Sequence, residues 1–201
     1  MSVAINRSRT IERSTNETSI TVTVDLDGTG SVRVETQVPF LDHMLDALGR
    51  HGQLDLFAKT TGDALMEPHH TVEDVGIVIG QAIREALGER KGIARYASEY
   101  APLDEALARA VIDVSGRPYF LFNGEMPEPQ IGADFASSLI EEFWRALTIN
   151  AGFTMHVDLL RARNAHHAAE AVFKAGALAI HAATRISRST MDIPSTKGMI
   201  A

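Results

Sequence analysis

Hydrophobic spacing along the chain switches between two periods, and the switches mark out the elements. Ile20-Thr21-Val22-Thr23-Val24 and Ser31-Val32-Arg33-Val34 alternate with period two, as half-buried strands do. Asp27-Gly28 between them is a hairpin signal, so the two runs are expected to pair. The residues before them are a polar start. From Pro39 the period lengthens: Phe40, Leu41, Met44, Leu45 and Leu48 recur at helical spacing, with Gly49 or Gly52 as a stop. A strand over 53–60 and a turn at Gly62-Asp63 follow. A longer helix then runs from Pro68 to about Leu87, with Gly88 as its stop and Ile77, Ile79, Ala82, Ile83, Ala86 and Leu87 on its apolar side. The stretch 93–100 reads as a connection or short helix interrupted by Pro102.

The second part of the chain repeats the first. Strands are expected over 106–114 and 119–122, joined by the compact turn Ser115-Gly116-Arg117-Pro118. A proline-bearing loop covers 126–132, a helix 138–151, a strand 153–160, and a last long helix lies within 163–188. Leu41-Asp42-His43-Met44-Leu45-Asp46-Ala47-Leu48 aligns without gaps on Ile140-Glu141-Glu142-Phe143-Trp144-Arg145-Ala146-Leu147. Two half-repeats, 1–100 and 101–201, each strand-strand-helix-strand-helix, imply one α+β domain of pseudo-twofold symmetry, its helices packed together between two mixed sheets.

Composition narrows the setting. A formal charge of −7 argues against general affinity for nucleic acid or an anionic membrane. Cysteine is absent, so any metal must be held by histidine and carboxylate. That ligand set suits Mn, Fe, Zn or Co. The first ten residues lack the apolar core of a secretory signal, and no apolar run reaches membrane-spanning length, so a cytoplasmic enzyme is expected.

The chemistry concentrates where both long helices begin. Pro68-His69-His70-Thr71-Val72-Glu73 and Ala165-His166-His167-Ala168-Ala169-Glu170 both contain His-His-x-x-Glu. Residues four apart share a helix face, so His69 pairs with Glu73 and His166 with Glu170. The second histidine of each motif points about 100° away. His43 and Glu142 occupy equivalent positions on the two shorter helices. Symmetry then suggests two metal sites, one of His43, His70, His166 and Glu170, the other of His69, Glu73, Glu142 and His167. Such sites leave positions open for substrate and water. His51, His156 and His181 read as structural or surface histidines, and Glu17, at a strand entry, as a solvated surface residue.

Five segments also carry a resemblance: Phe40-Leu41-Asp42-His43-Met44-Leu45, His69-His70-Thr71-Val72-Glu73-Asp74-Val75-Gly76, Ser115-Gly116-Arg117-Pro118, Asn164-Ala165-His166-His167 and Ser195-Thr196-Lys197-Gly198. Together they resemble the imidazoleglycerol-phosphate dehydratase family, over nearly the whole chain from about Arg9 to Gly198. The resemblance implies a ferredoxin-like (ribosomal S5 domain 2-like) half used twice and an enzyme of histidine biosynthesis with two Mn2+ ions per active site. It also implies assembly into trimers and a twenty-four-subunit shell. Where many members carry a histidine this chain has Glu142, which can still bind a divalent ion while adding negative charge.

The implied reaction removes water from imidazoleglycerol phosphate to give imidazoleacetol phosphate. The departing hydrogen has no adjacent carbonyl to acidify it, so the expected route runs through a substrate imidazolate held by both metals, which expels the hydroxyl. A base then takes the neighbouring C–H proton. By resemblance that base is Glu17, and Arg95, Arg117, Lys174 and Ser195-Thr196-Lys197-Gly198 contact the substrate. A Ser-Thr-Lys-Gly loop offers N–H groups, hydroxyls and an ammonium, a set suited to a phosphate. Two other readings compete: a dinuclear hydrolase of a phosphate-bearing substrate, and a metal-binding shell without catalysis. Release of inorganic phosphate would favour the first; the second leaves Arg117, Lys174 and the C-terminal loop without a purpose.

Overall fold

The computed structural model describes residues 6–62, 67–187 and 192–200. The expected turn at Gly62-Asp63 runs out of the described residues at Asp63. The first half consists of β1 (Ser8–Ser14), β2 (Thr18–Asp25), β3 (Val32–Glu35), α1 (Pro39–Gly52), β4 (Asp55–Gly62) and α2 (Pro68–Leu87). The second consists of β5 (Tyr96–Leu103), β6 (Ala106–Asp113), β7 (Tyr119–Asn123), the ribbon β8 (Gln130–Ile131) and β9 (Phe135–Ala136), α3 (Leu139–Ala151), β10 (Thr154–Arg161) and α4 (Ala165–Thr184).

The repeat is confirmed at the level of topology. The sheets run β1-β2-β4-β3 and β5-β6-β10-β7, each with two antiparallel pairings and one parallel pairing at the same place in the order. α2 lies on the first sheet and α4 on the second. Each short helix crosses over, α1 to α4 and α3 to α2, so the helical layer is built from both halves. The outcome is the expected α+β domain with its helices between two mixed sheets.

Three features of the secondary structure differ from the pattern reading. Each half opens with an extra strand, so the unit is strand-strand-strand-helix-strand-helix. β1 turns only Arg9, Ile11 and Arg13 inward, and one apolar side chain in seven residues leaves no visible period. β5 faces its tyrosines, Tyr96 and Tyr100, to solvent and turns the smaller Ala97 and Ala101 toward the core, which hides the inner face. Pro102 is tolerated there because β5 is an edge strand with one side unpaired. Finally, β2 and β3 do not form a hairpin, since β4 is inserted between them. Asp27-Gly28 does turn the chain, but across the end of β4. The Asp55 carboxylate accepts the N–H groups of Thr29 (2.8 Å) and Ser31 (2.9 Å) there, and a Cβ on Gly28 would fall 2.3 Å from the Asp55 nitrogen.

The helical layer is held by close packing. On α2, a Cβ at Gly76 would lie 2.8 Å from the Phe143 carbonyl oxygen, and one at Gly80 2.4 Å from that of Leu147. The two glycines therefore let α2 and α3 run side by side with their starts together. Phe143 stacks on Phe173 of α4 (centroids 5.0 Å apart), and Trp144 packs on the same ring at 5.2 Å. All three side chains are fully buried. This core fixes where the helices begin, and every motif histidine lies at a helix start.

Candidate active site

The start of α4 is held by three acceptors. Asn164 caps the helix by accepting the His167 N–H at 3.0 Å, Glu128 accepts the Ala165 N–H at 2.9 Å, and Glu105 accepts those of Arg163 and Asn164 at 3.1 and 3.0 Å. From this anchored turn His166 and Glu170 project on one face, and His43 of α1 meets them. Glu170 Oε2 lies 3.2 Å from His43 Nε2 and 3.3 Å from His166 Nε2. One donor atom from each of the three residues lies within 4.8 Å of the others. Phe40 backs the group, its ring 5.3 Å from that of His166, and a cavity of about 360 Å³ bounded by Phe40, Phe135 and Asp134 opens beside it. Burial opposes ionisation of Glu170, but the Lys174 ammonium 2.6 Å away, with His43 and His166, leaves its carboxyl below the ordinary range.

Two imidazoles and an ionised carboxylate converging this closely are a donor set suited to a first-row divalent cation. The expected fourth ligand of this site, His70, is not part of the cluster. It lies at the start of α2 with Nδ1 3.6 Å from Glu17 Oε2.

The second expected site is less assembled within one chain. His69 Nε2 is 3.9 Å from Glu73 Oε2, as the helical spacing predicts. Glu142 is brought to the same end of the molecule by the α2–α3 register, but its carboxylate takes the Arg145 guanidinium at 2.6 Å. His167 turns to Glu105, Nδ1 to Oε2, at 2.8 Å. That bond holds the Glu105 carboxyl down to about 2, and the same carboxylate raises His167 above the usual histidine range. Glu105 and Glu128 escaped the sequence reading because a glutamate in a turn or loop carries no local signature. Asp74, beside the first motif, did too: it is buried, accepts the Thr18 hydroxyl and pairs with Arg13, so it ties α2 to the strands that flank Glu17.

The residues expected to contact substrate divide in two. Arg95, Arg117, Ser195, Thr196 and Lys197 line one open cavity of about 860 Å³, with Ser115 at its wall. Arg95 is oriented by the Asp113 carboxylate (Nε to Oδ1 2.8 Å) and donates to the Pro194 carbonyl at 2.7 Å, which fastens the C-terminal segment over the cavity. Within that segment Ser195 accepts the Gly198 N–H through its carbonyl and the Lys197 N–H through its hydroxyl. Gly198 completes the turn with φ of 68°. Lys174 is not part of this cavity; it belongs with Glu170.

Fold and site together define a class: a duplicated α+β enzyme with histidine–carboxylate clusters at helix starts and a separate basic cavity. Comparison with known proteins makes the class specific. The sequence profile of the imidazoleglycerol-phosphate dehydratase family matches residues 36–180. Imidazoleglycerol-phosphate dehydratase of Rhodopseudomonas palustris (strain TIE-1) is 49% identical over 195 residues, covering 96% of this chain and 98% of the relative. That of Geobacillus kaustophilus (strain HTA426) is 50% identical over 194 residues, covering 96% and 99%. The crystal structure of the Staphylococcus aureus N315 enzyme superposes with a TM-score of 0.81 at 39% identity, covering 90% of this chain and 99% of that one. The Pyrococcus furiosus enzyme, in complex with (S)-C348, gives 0.80 at 33% identity, covering 94% and 100%. The chain belongs to the imidazoleglycerol-phosphate dehydratase family and is a hydro-lyase. That assignment places it with enzymes of histidine biosynthesis, not with the hydrolase or the non-catalytic shell. No helix among the described residues is long and apolar enough to cross a membrane.

Proposed function

We propose that this chain converts imidazoleglycerol phosphate to imidazoleacetol phosphate with two divalent cations, Mn2+ being the expected ion, and that the site is shared between copies of the chain. The convergence of His43, His166 and Glu170 carries this reading. These three residues would hold one cation together with His70, and His69, Glu73, Glu142 and His167 the other. Such cations would favour loss of the N–H proton from the substrate imidazole, and the deprotonated ring is the electron source for departure of the hydroxyl. His70 and His167 each belong to a different cluster from the motif partner beside them. A neighbouring copy that brings a second α2 start against α4 would complete both sets, which agrees with the trimers and the twenty-four-subunit shell implied for the family.

The chain's own groups do the rest. Glu17, half-exposed beside His70, is the base in this reading, taking the C–H proton and returning it during tautomerisation of the enol. Arg95, Arg117, Lys197 and the hydroxyls of Ser195 and Thr196 bind the phosphate through charge-assisted hydrogen bonds. Arg95 donates its backbone N–H to Ala183 near the far end of α4, whereas His166 and Glu170 lie at its start, so the phosphate cavity serving a given cluster would come from a neighbouring copy. Lys174, paired with Glu170, keeps that carboxylate ionised. Elemental analysis of the purified protein alongside an assay of imidazoleacetol phosphate tests the reading: two metal equivalents per chain with product formation are expected, and product formed at full rate after exhaustive chelation would end it. Chelator is also expected to reduce the assembled particle to smaller oligomers, measurable by light scattering.

A further inference from the structure

The two halves place a glutamate at the same point of the fold. Glu17 immediately precedes β2 and Glu105 immediately precedes β6, the second strand of each sheet in an identical strand order. Each carboxylate faces Nδ1 of the second histidine in its own half's His-His-x-x-Glu motif. The two pairs differ in tightness: 3.6 Å for Glu17 and His70, 2.8 Å for Glu105 and His167. Only the second is a hydrogen bond. Glu105 is also immobilised through its other oxygen, which accepts the N–H groups of Arg163 and Asn164, whereas the Glu17 side chain is 55% exposed.

The bond has a chemical consequence. An ionised carboxylate can only accept, so the proton between Glu105 and His167 belongs to Nδ1. In the neutral imidazole the lone pair is then on Nε2, at the far side of the ring from Glu105. We propose that Glu105 is a positioning residue that fixes His167 as the Nδ1–H tautomer and makes Nε2 its ligand atom, while its counterpart Glu17 is left unclamped for proton transfer. This rests on the reading of His167 as a metal ligand. Duplication thus gave one carboxylate the task of orienting a ligand histidine and left its counterpart for proton transfer.

The test is titration of Mn2+ into chelator-stripped full-length protein at pH 7.5, followed by calorimetry, with thermal melting of the same stripped samples. Glutamine has one carbonyl oxygen where glutamate has two acceptors, so Glu105→Gln can serve the backbone N–H groups or Nδ1–H but not both. Glu105→Gln is expected to weaken one class of Mn2+ site by about 10–100-fold and leave the other unchanged. Glu105→Asp, which keeps a carboxylate on a shorter stem, should fall between it and the parent. A lower melting temperature with unchanged Mn2+ affinity would show a purely structural role and overturn the proposal. If Glu105→Gln does not fold, Glu105→Asp carries the test, and parental affinity in that variant overturns it equally. His167→Ala separates the two layers. If it loses a site that Glu105→Gln keeps, the positioning claim falls alone; if it loses none, the ligand reading falls and takes the proposal with it.

Discussion

The halves of this molecule share a topology and diverge in their chemistry. Both run the same strand order, both start their long helix with His-His-x-x-Glu, and both put a glutamate before the second strand. Yet the first half supplies His43 where the second supplies Glu142. α4 starts from a side-chain cap and two glutamate acceptors, whereas α2 starts at Pro68 with no side-chain cap. The outer sheet faces differ as well. That of the first sheet is mainly Ser, Thr and charged residues, while that of the second carries Tyr96, Tyr100, Tyr119 and Leu121, all exposed. Symmetry therefore governs the backbone and the positions of donors, and local partners decide what each donor does.

The sharpest way to break this comparison is to make one substitution at both equivalent glutamates. Glu17→Gln is expected to leave metal content and assembly intact and to reduce turnover by about 10²–10⁴-fold, the range of a lost general base. Steady-state rates with elemental analysis measure both. The same change at Glu105 should act on metal instead. Near-parental turnover in Glu17→Gln would remove that residue from the mechanism and leave the two glutamates functionally alike.

How much of this could be read from the chain depended on where each signal lies. The helices were legible because Leu41, Met44, Leu45 and Leu48, or Val72, Val75, Ile79 and Ile83, bury one face at helical spacing. The edge strands were not, because β1 has one inward apolar residue and β5 puts its largest side chains outside. Helix geometry combined with the repeat brought out His43, His166 and Glu170, but the same reading put His70 with them, and His70 lies beside Glu17 at the start of α2. Strand order was invisible, since an Asp-Gly turn looks the same whether the next strand pairs with its predecessor or crosses over to another. The role of Glu105 became visible only once topology had set it beside Glu17.

A second test concerns the crossed helix pairs. α2 meets α3 through glycines, while α4 carries Phe173 and Ala177 at the corresponding positions. Gly80→Ala places a methyl 2.4 Å from the Leu147 oxygen, a backbone atom that cannot step aside. Overpacking of this kind costs about 1–3 kcal/mol and should be read as a lower melting temperature in chelator. An unchanged or higher value, as helix propensity alone would give, would show that the two crossings tolerate the same packing.

The turn that misled the hairpin reading yields a smaller, pH-dependent effect. The Asp55 carboxyl is lowered by hydrogen bonds from the backbone of Ser31 and Thr29. A depressed carboxylate stabilises the fold above its unfolded value, near 3.8 for this group, and that contribution is lost as pH falls through the lower folded value. Asp55→Asn should therefore cost about 1 kcal/mol at neutral pH, typical of a hydrogen-bonded site, and progressively less under acid. Denaturant melts of both proteins across the acid range measure it. A pH-independent difference would mean that Asp55 acts by shape and not by charge.

The finest test lies at the point where the repeat is broken. Glu142 stands in His43's place but is engaged by Arg145, three residues on along the same helix face, so a cation held there would compete with a guanidinium, as one at the first site would with the Lys174 ammonium on Glu170. The Arg145 side chain is about half exposed, and such pairs are worth about 0.3–0.5 kcal/mol. Arg145→Ala should leave stability nearly untouched and strengthen Mn2+ binding at one class of site by only about twofold, the factor that 0.5 kcal/mol corresponds to. A tenfold gain would mean that the ion pair is a real gate on the second metal. No gain at all, with unchanged stoichiometry, would mean that Glu142 is not a ligand and that the two halves differ in ligand number as well as ligand type.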